Sequence, residues 1–142
     1  MKKLKSQTVN FEQIGQFLAG AEKKLASARK VFAVDEEAAY QLAYEAMLKG
    51  SLGFMLSRGV RPRTGPGHHI TIIEFAEKQL GKEFRGLVAM FSRMRRKRND
   101  TIYAVNAFIS RQETEQALDT ARKYLAIIRQ ETQKRNPQKK LL

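Results

Sequence analysis

Between Arg93 and Arg98 the chain places five basic residues in six positions, followed at once by the polar pair Asn99-Asp100 and then, three residues on, Tyr103. Arginine at this density is chemistry for phosphate, because the planar guanidinium donates two parallel hydrogen bonds to one phosphoryl group. Asn99 could donate to a phosphoryl oxygen, and Tyr103 could donate, accept or stack on a base. The residues upstream, Phe84, Leu87, Val88, Phe91 and Met94, lie on one helical stripe. At about 100° per residue, Arg95 and Arg98 continue that stripe, while Arg93, Arg96 and Lys97 face away from it. A guanidinium among apolar neighbours needs a partner, since leaving it unpaired is costly.

That partner is either an acidic side chain of the protein or a phosphate from outside. The first case makes this segment a structural helix end, with arginines paired to glutamates and Tyr103 packed as a lid on the core. The second makes it a phosphate-binding site. Adding a group that takes a proton from a ribose 2′-OH would make it a phosphodiester-cleaving one without a metal. Geometry restricts the choice of residues. Arg98 and Tyr103 stand about 140° apart on an unbroken helix, so they converge only if the helix breaks at Asn99-Asp100 or a second subunit supplies a matching copy. On an unbroken helix Arg96, Asn99 and Tyr103 share a face instead.

Two further groups could contribute. His68 and His69 are the only histidines, and they follow a Gly/Pro-rich loop. They are either a base reaching toward Tyr103 or a solvated pair near a helix start. As metal ligands they are poor: adjacent side chains are expected to point apart, and no Cys or Asp/Glu cluster has ligand spacing. The loop itself carries Arg58, Arg61 and Arg63 with Gly65 and Gly67. It is either a second RNA contact, through Arg61 and Arg63, or a solvated linker. It lacks the P-loop pattern.

These groups must be positioned by helices, because helical periodicity dominates the chain. Expected helices run near Asn10–Phe32, Glu36–Ser57, His69–Gln79, Glu83–Asn99 and Arg111–Gln133. Asn10 and Asp35 serve as N-caps, Gly81 as a C-cap, and Ser110 with Glu113 as a capping box. Ala43, Ala46 and Gly50 should let a neighbouring helix approach the second one closely. Phe11, Phe17, Phe32, Phe54, Phe91 and Tyr124 sit at core spacing, whereas Tyr40 and Tyr44 could line a groove or a dimer interface. The stretch from Arg58 to Gly67 holds two prolines and three glycines and is expected to lack regular structure. The fold class is therefore all-α: an antiparallel up-and-down bundle of about five helices in a single domain spanning 1–142, with 1–9 and 134–142 as frayed basic ends.

Composition narrows the function classes. The chain has 142 residues, a formal net charge of +13 and no cysteine. That excludes disulfides and thiolate metal sites, and the charge points to a polyanion such as nucleic acid, or to an acidic protein. No apolar run reaches the roughly 20 residues of a membrane span. No apolar segment follows Met1–Lys5 as in a signal peptide, so a cytoplasmic protein needing no metal or other cofactor is expected.

The hexapeptide Arg98-Asn99-Asp100-Thr101-Ile102-Tyr103 resembles the signature of the HEPN superfamily. So does the run from Ala43 to Leu48 leading into Leu56–Pro62, and the last helix with Ala117, Ala121 and Tyr124. The resemblance covers nearly the whole chain. It implies a small, usually dimeric helical bundle that binds or cleaves RNA without metal. Many such proteins are toxins or defence proteins, and many work beside a small nucleotidyltransferase, which in some cases modifies a tyrosine near the motif. Carried onto this chain, Arg98 is the motif arginine and Asn99 the polar residue after it, while Tyr103 stands where the motif histidine would be. A phenol titrates near 10 and an imidazole near 6.5, so Tyr103 is a poor general base at neutral pH. A non-cleaving RNA or nucleotide binder is the leading expectation, with contacts from Arg95, Arg96, Arg98, Arg61 and Arg63. An active endoribonuclease using Arg98, Asn99 and Tyr103 is the alternative. A helical interaction subunit without a nucleic-acid role is the third.

Overall fold

The structure, a computed structural model, describes residues 3–136. Five α-helices account for most of it: α1 (Phe11–Val31), α2 (Glu36–Ser57), α3 (His68–Leu80), α4 (Arg85–Tyr103) and α5 (Arg111–Gln133). The expected caps form. Asn10 and Asp35 accept from the N–H groups of Gln13 and Ala38 at 3.1 and 3.0 Å. Ser110 and Glu113 close a reciprocal capping box that starts α5. Gly81 ends α3 at φ 82°, and a 3-10 turn at Lys82–Phe84 delays α4 to Arg85. The protein is an all-α helical bundle.

Helix α2 is its axis and is buried on nearly every side. It packs along α1, joined to it through Phe32–Asp35, and also contacts α5, α3 and α4. Its fully buried Tyr44, Met47 and Phe54 belong to one core cluster with Phe91 of α4 and Tyr124 of α5. Phe91 lies edge-on to Tyr44 with centroids 5.7 Å apart, and Tyr124 lies 5.0 Å from Phe91. The approach of α5 needs the glycine at position 50: a Cβ there would fall 2.5 Å from Leu125 Cδ2. Two polar groups of the core pair with each other. Ser51 Oγ donates to the Met47 carbonyl at 2.7 Å, which leaves it to accept the Tyr124 hydroxyl proton at 2.6 Å.

Phe54, Phe91 and Tyr124 are core residues as their spacing implies, while Phe11, Phe17 and Phe32 pack on the core's edge. Tyr40 and Tyr44 do not line a groove or an exposed interface; both are buried. Their i, i+4 spacing along α2, continued by Met47 and Ser51, carries them inward on a helix that has no solvent face there.

Two expectations fail together. The basic N-terminal segment is not frayed throughout and the Gly/Pro-rich stretch is not wholly irregular. Leu4–Ser6 (β1) pairs antiparallel with Val60–Pro62 (β2), Leu4 opposite Pro62 and Ser6 opposite Val60. Proline is tolerated because of the register. The ladder bonds run from Arg63 N–H to Lys3 and from Gln7 N–H to Gly59, so Pro62 occupies a non-hydrogen-bonded position and forfeits nothing. At the other end, residues 137–142 of the expected frayed tail lie outside the described residues. Among the described residues no helix is long and apolar enough to cross a membrane.

Candidate phosphate-binding site

Helix α4 does not break at Asn99-Asp100. The Asp100 carbonyl accepts the Ala104 N–H at 2.8 Å, and the Thr101 hydroxyl donates to the Arg98 carbonyl at 2.7 Å. The helix therefore holds its turn through Tyr103, and the two ends of the motif diverge. Arg98 leans inward, its guanidinium carbon 5.7 Å from the Tyr44 ring centroid. Tyr103 is 83% exposed and forms no lid. Within one chain Arg98 and Tyr103 are not brought together. Arg96, Asn99 and Tyr103 share a face, with Arg96 donating to Ser92 at 3.2 Å on the same stripe.

The arginines are not neutralised by glutamates either. Among the described residues none of Arg93, Arg95, Arg96 and Arg98 forms an ion pair; only Lys97 of this run does, with Glu113 at 3.3 Å. Arg98 Nε is buried and has no hydrogen-bond partner.

What faces these arginines is the start of α3. Gly65, Pro66, Gly67, His68, His69 and Ile70 line one wall of an open hollow of ≈ 310 Å³, and Arg95 and Asn99 line the other. Gly67, the N-cap at φ 81°, gives no side-chain cap, and the first turn of α3 has no acidic residue. The free N–H groups and positive dipole end of the helix are thus unopposed. Three sources of positive potential converge here: the helix end, Arg95, and Arg98 behind His69.

His69 couples the hollow to the core. Its Nδ1 lies 3.1 Å from the Tyr44 hydroxyl, and its ring meets that of His68 edge-on at 4.6 Å, so the adjacent histidines do not point apart. Burial raises the Tyr44 pKa well above that of a free phenol, against the pull of Arg98 and Arg95. Burial first, then His68, Arg98 and Arg95, hold the His69 imidazole below its usual pKa. Both groups are neutral at pH 7. Two neutral groups leave the direction to the tautomer; because the buried Tyr44 hydroxyl has no other acceptor among the described residues, the arrangement that satisfies it has the phenol donating to Nδ1 and the ring proton on Nε2. His69 presents a hydrogen-bond donor, and its basic nitrogen is occupied.

The other basic cluster does not join this site. Arg58 stacks on Phe54 at 4.2 Å and donates to the Glu131 carbonyl at 3.5 Å. Arg61 Nε donates to Gln7 at 3.1 Å, and Arg63 is exposed. From that stretch only Gly65, Pro66 and Gly67 reach the hollow.

Sequence reasoning singled out His68 and His69 but aimed them at Tyr103, whereas His69 meets Tyr44. The signal was the α2 stripe through Ala43, Met47 and Phe54, which commits Tyr44 to the interior, where its hydroxyl must find an acceptor. Among the described residues no group of three or more His, Cys, Asp or Glu side chains could hold a metal ion. The chain matches no model of a known protein family and no curated protein.

Proposed function

We propose that the protein is a cytoplasmic, HEPN-like RNA- or nucleotide-binding protein that holds phosphate without cleaving it. One observation carries this reading: Arg95, Asn99 and His69 line a hollow at a helix N-terminus, Arg98 lies behind it over the Tyr44 ring, and neither arginine is ion-paired among the described residues. A phosphate there would accept from a guanidinium, from His69 Nε2–H and from backbone N–H groups. The net charge of +13 adds long-range attraction for a polyanion. Binding is favoured over cleavage because the imidazole beside Arg98 has its basic nitrogen engaged by Tyr44, and Tyr103 is a phenol facing solvent. The resemblance supplies the wider setting: a homodimer working with a nucleotidyltransferase in a toxin–antitoxin or defence-type pair.

A second reading keeps one observation in its favour. His69 places an imidazole beside Arg98, the group missing at position 103, so an endoribonuclease could use it after Tyr44 rotates away. Incubation of the protein with total cellular RNA in EDTA, with Arg98→Ala as control, separates the two. Binding alone leaves the RNA intact while the wild type retains it on a filter and Arg98→Ala retains much less. Cleavage by the wild type only would replace the first reading by the second. Equal retention by both proteins would remove Arg98 from the site.

A further inference from the structure

Just beyond the phosphate hollow the surface changes character. Ile102, Tyr103, Val105 and Phe108 are exposed, Tyr103 by 83% and Phe108 by 71%. Large side chains this close together in sequence rarely stand free in solvent without use. They lie on the return from α4 to α5: the Ala104–Ala107 turn, closed by an N–H···O bond of 3.3 Å, separates Tyr103 from Phe108. The Lys97–Glu113 pair at 3.3 Å clamps the base of this excursion. Tyr103 follows Asn99 by one turn on the same face of α4, about 6 Å along the axis, and Asn99 lines the hollow.

We infer that Tyr103 and Phe108 form a stacking platform for unpaired bases of a single-stranded RNA whose phosphate sits in the Arg95–Asn99–His69 hollow. This rests on the RNA-binding reading above and goes beyond it by naming a single strand as the substrate class. Charge selects this occupant over an apolar protein surface. The C-terminal half of α4 carries five basic residues, from Arg93 to Arg98, and one acidic residue, Asp100, so the patch is bordered by cations that an apolar partner would have to desolvate. A single-stranded nucleic acid fits both halves, its backbone on the arginines and its bases on the rings. A duplex does not, because its bases are already stacked within the helix and present no free face to a ring.

The test compares fluorescence-anisotropy affinities for a 12-nucleotide single-stranded RNA and for an abasic oligonucleotide of equal length and charge. Tyr103→Ala and Phe108→Ala should each weaken RNA binding about five- to tenfold, the lower end of what base–aromatic stacking contributes. They should leave the salt slope and the abasic affinity unchanged, and Tyr103→Phe should restore RNA affinity. If the Tyr103→Ala/Phe108→Ala double variant binds RNA like the wild type, the platform is overturned while the phosphate site stands. If the wild type binds RNA no better than the abasic strand, and sedimentation shows that the double variant converts a dimer to a monomer, the patch is an interface between two copies and the inference falls. If neither strand binds the wild type, this inference and the reading beneath it fail together.

Discussion

The two basic clusters of this protein, three arginines in Arg58–Arg63 and four arginines with Lys97 in Arg93–Arg98, are used differently by the fold. In the stretch from Arg58 to Arg63, two of three arginines find partners within the chain: Arg58 on the Phe54 ring and the Glu131 carbonyl, Arg61 on Gln7. In Arg93–Arg98, Arg95 and Arg98 form neither an ion pair nor a side-chain hydrogen bond among the described residues; a buried Nε lacks an acceptor in Arg58 and Arg98 alike, so the difference lies in the terminal guanidinium nitrogens, which Arg58 uses and Arg98 does not. A basic run announces affinity for anions; its hydrogen-bond accounting shows whether the fold has already used that affinity. By that measure the first cluster staples the end of α2 to α5, and the second is left for a ligand.

The largest effect expected from this contrast is on binding. Replacing Arg95 and Arg98 together by Ala should lower RNA affinity at least tenfold at moderate salt. It should also reduce the slope of log K against log salt by about two, one for each guanidinium removed from a phosphate. Arg61→Ala should change affinity less than twofold, since its Nε is engaged by Gln7. Filter binding across a salt series measures both. Equal losses in the two variants would erase the distinction between the clusters.

Stability should respond in the opposite sense. Arg58→Ala removes the stacking of a guanidinium on a ring and a bond to a carbonyl, and should cost about 1–2 kcal/mol in urea unfolding. Arg98→Met removes a buried donor that has no acceptor and keeps the apolar stem, so it should be neutral or stabilise by up to about 1 kcal/mol. A site held ready for a ligand at the expense of stability behaves this way. If Arg98→Met were as destabilising as Arg58→Ala, Arg98 would be a structural residue.

The sequence made the helices legible because each carries its own local signals. Asp35 and the Ser110/Glu113 box fixed the starts of α2 and α5 to the residue. It did not make β1–β2 legible, because that pairing joins segments more than 50 residues apart and its tolerance of Pro62 depends on a register that appears only once the strands meet. At the site, the inward lean of Arg95 and Arg98 follows from the 3.6-residue period and was readable. The fate of the motif's far end was not. Asn99-Asp100 looks like a helix stop, yet Thr101 and Ala104 carry the turn onward, and Tyr103 goes to solvent. The His69–Tyr44 bond joins two helices 25 residues apart in sequence, a pairing no local pattern encodes.

That bond gives the smallest and most diagnostic effect, because it links the hollow to pH. His69 is held below its ordinary pKa in the free protein, first by burial and then by His68, Arg98 and Arg95. The unfolded chain therefore binds this proton at a higher pH than the folded one. The stability His69 contributes is complete above about 6.5 and is lost as pH falls through the lower folded value. A phosphate in the hollow reverses the balance, since its charge favours imidazolium. RNA affinity should consequently rise severalfold as pH drops from 7 toward 5.5, while apo stability declines over the same interval. His69→Gln should flatten both curves. Tyr44→Phe should cost about 1 kcal/mol for the missing hydrogen bond and free Nδ1, raising the imidazole pKa measured by NMR titration. Affinity that stays level across this range in the wild type would mean that no phosphate reaches His69, and the site would shrink to the two arginines and the end of α3.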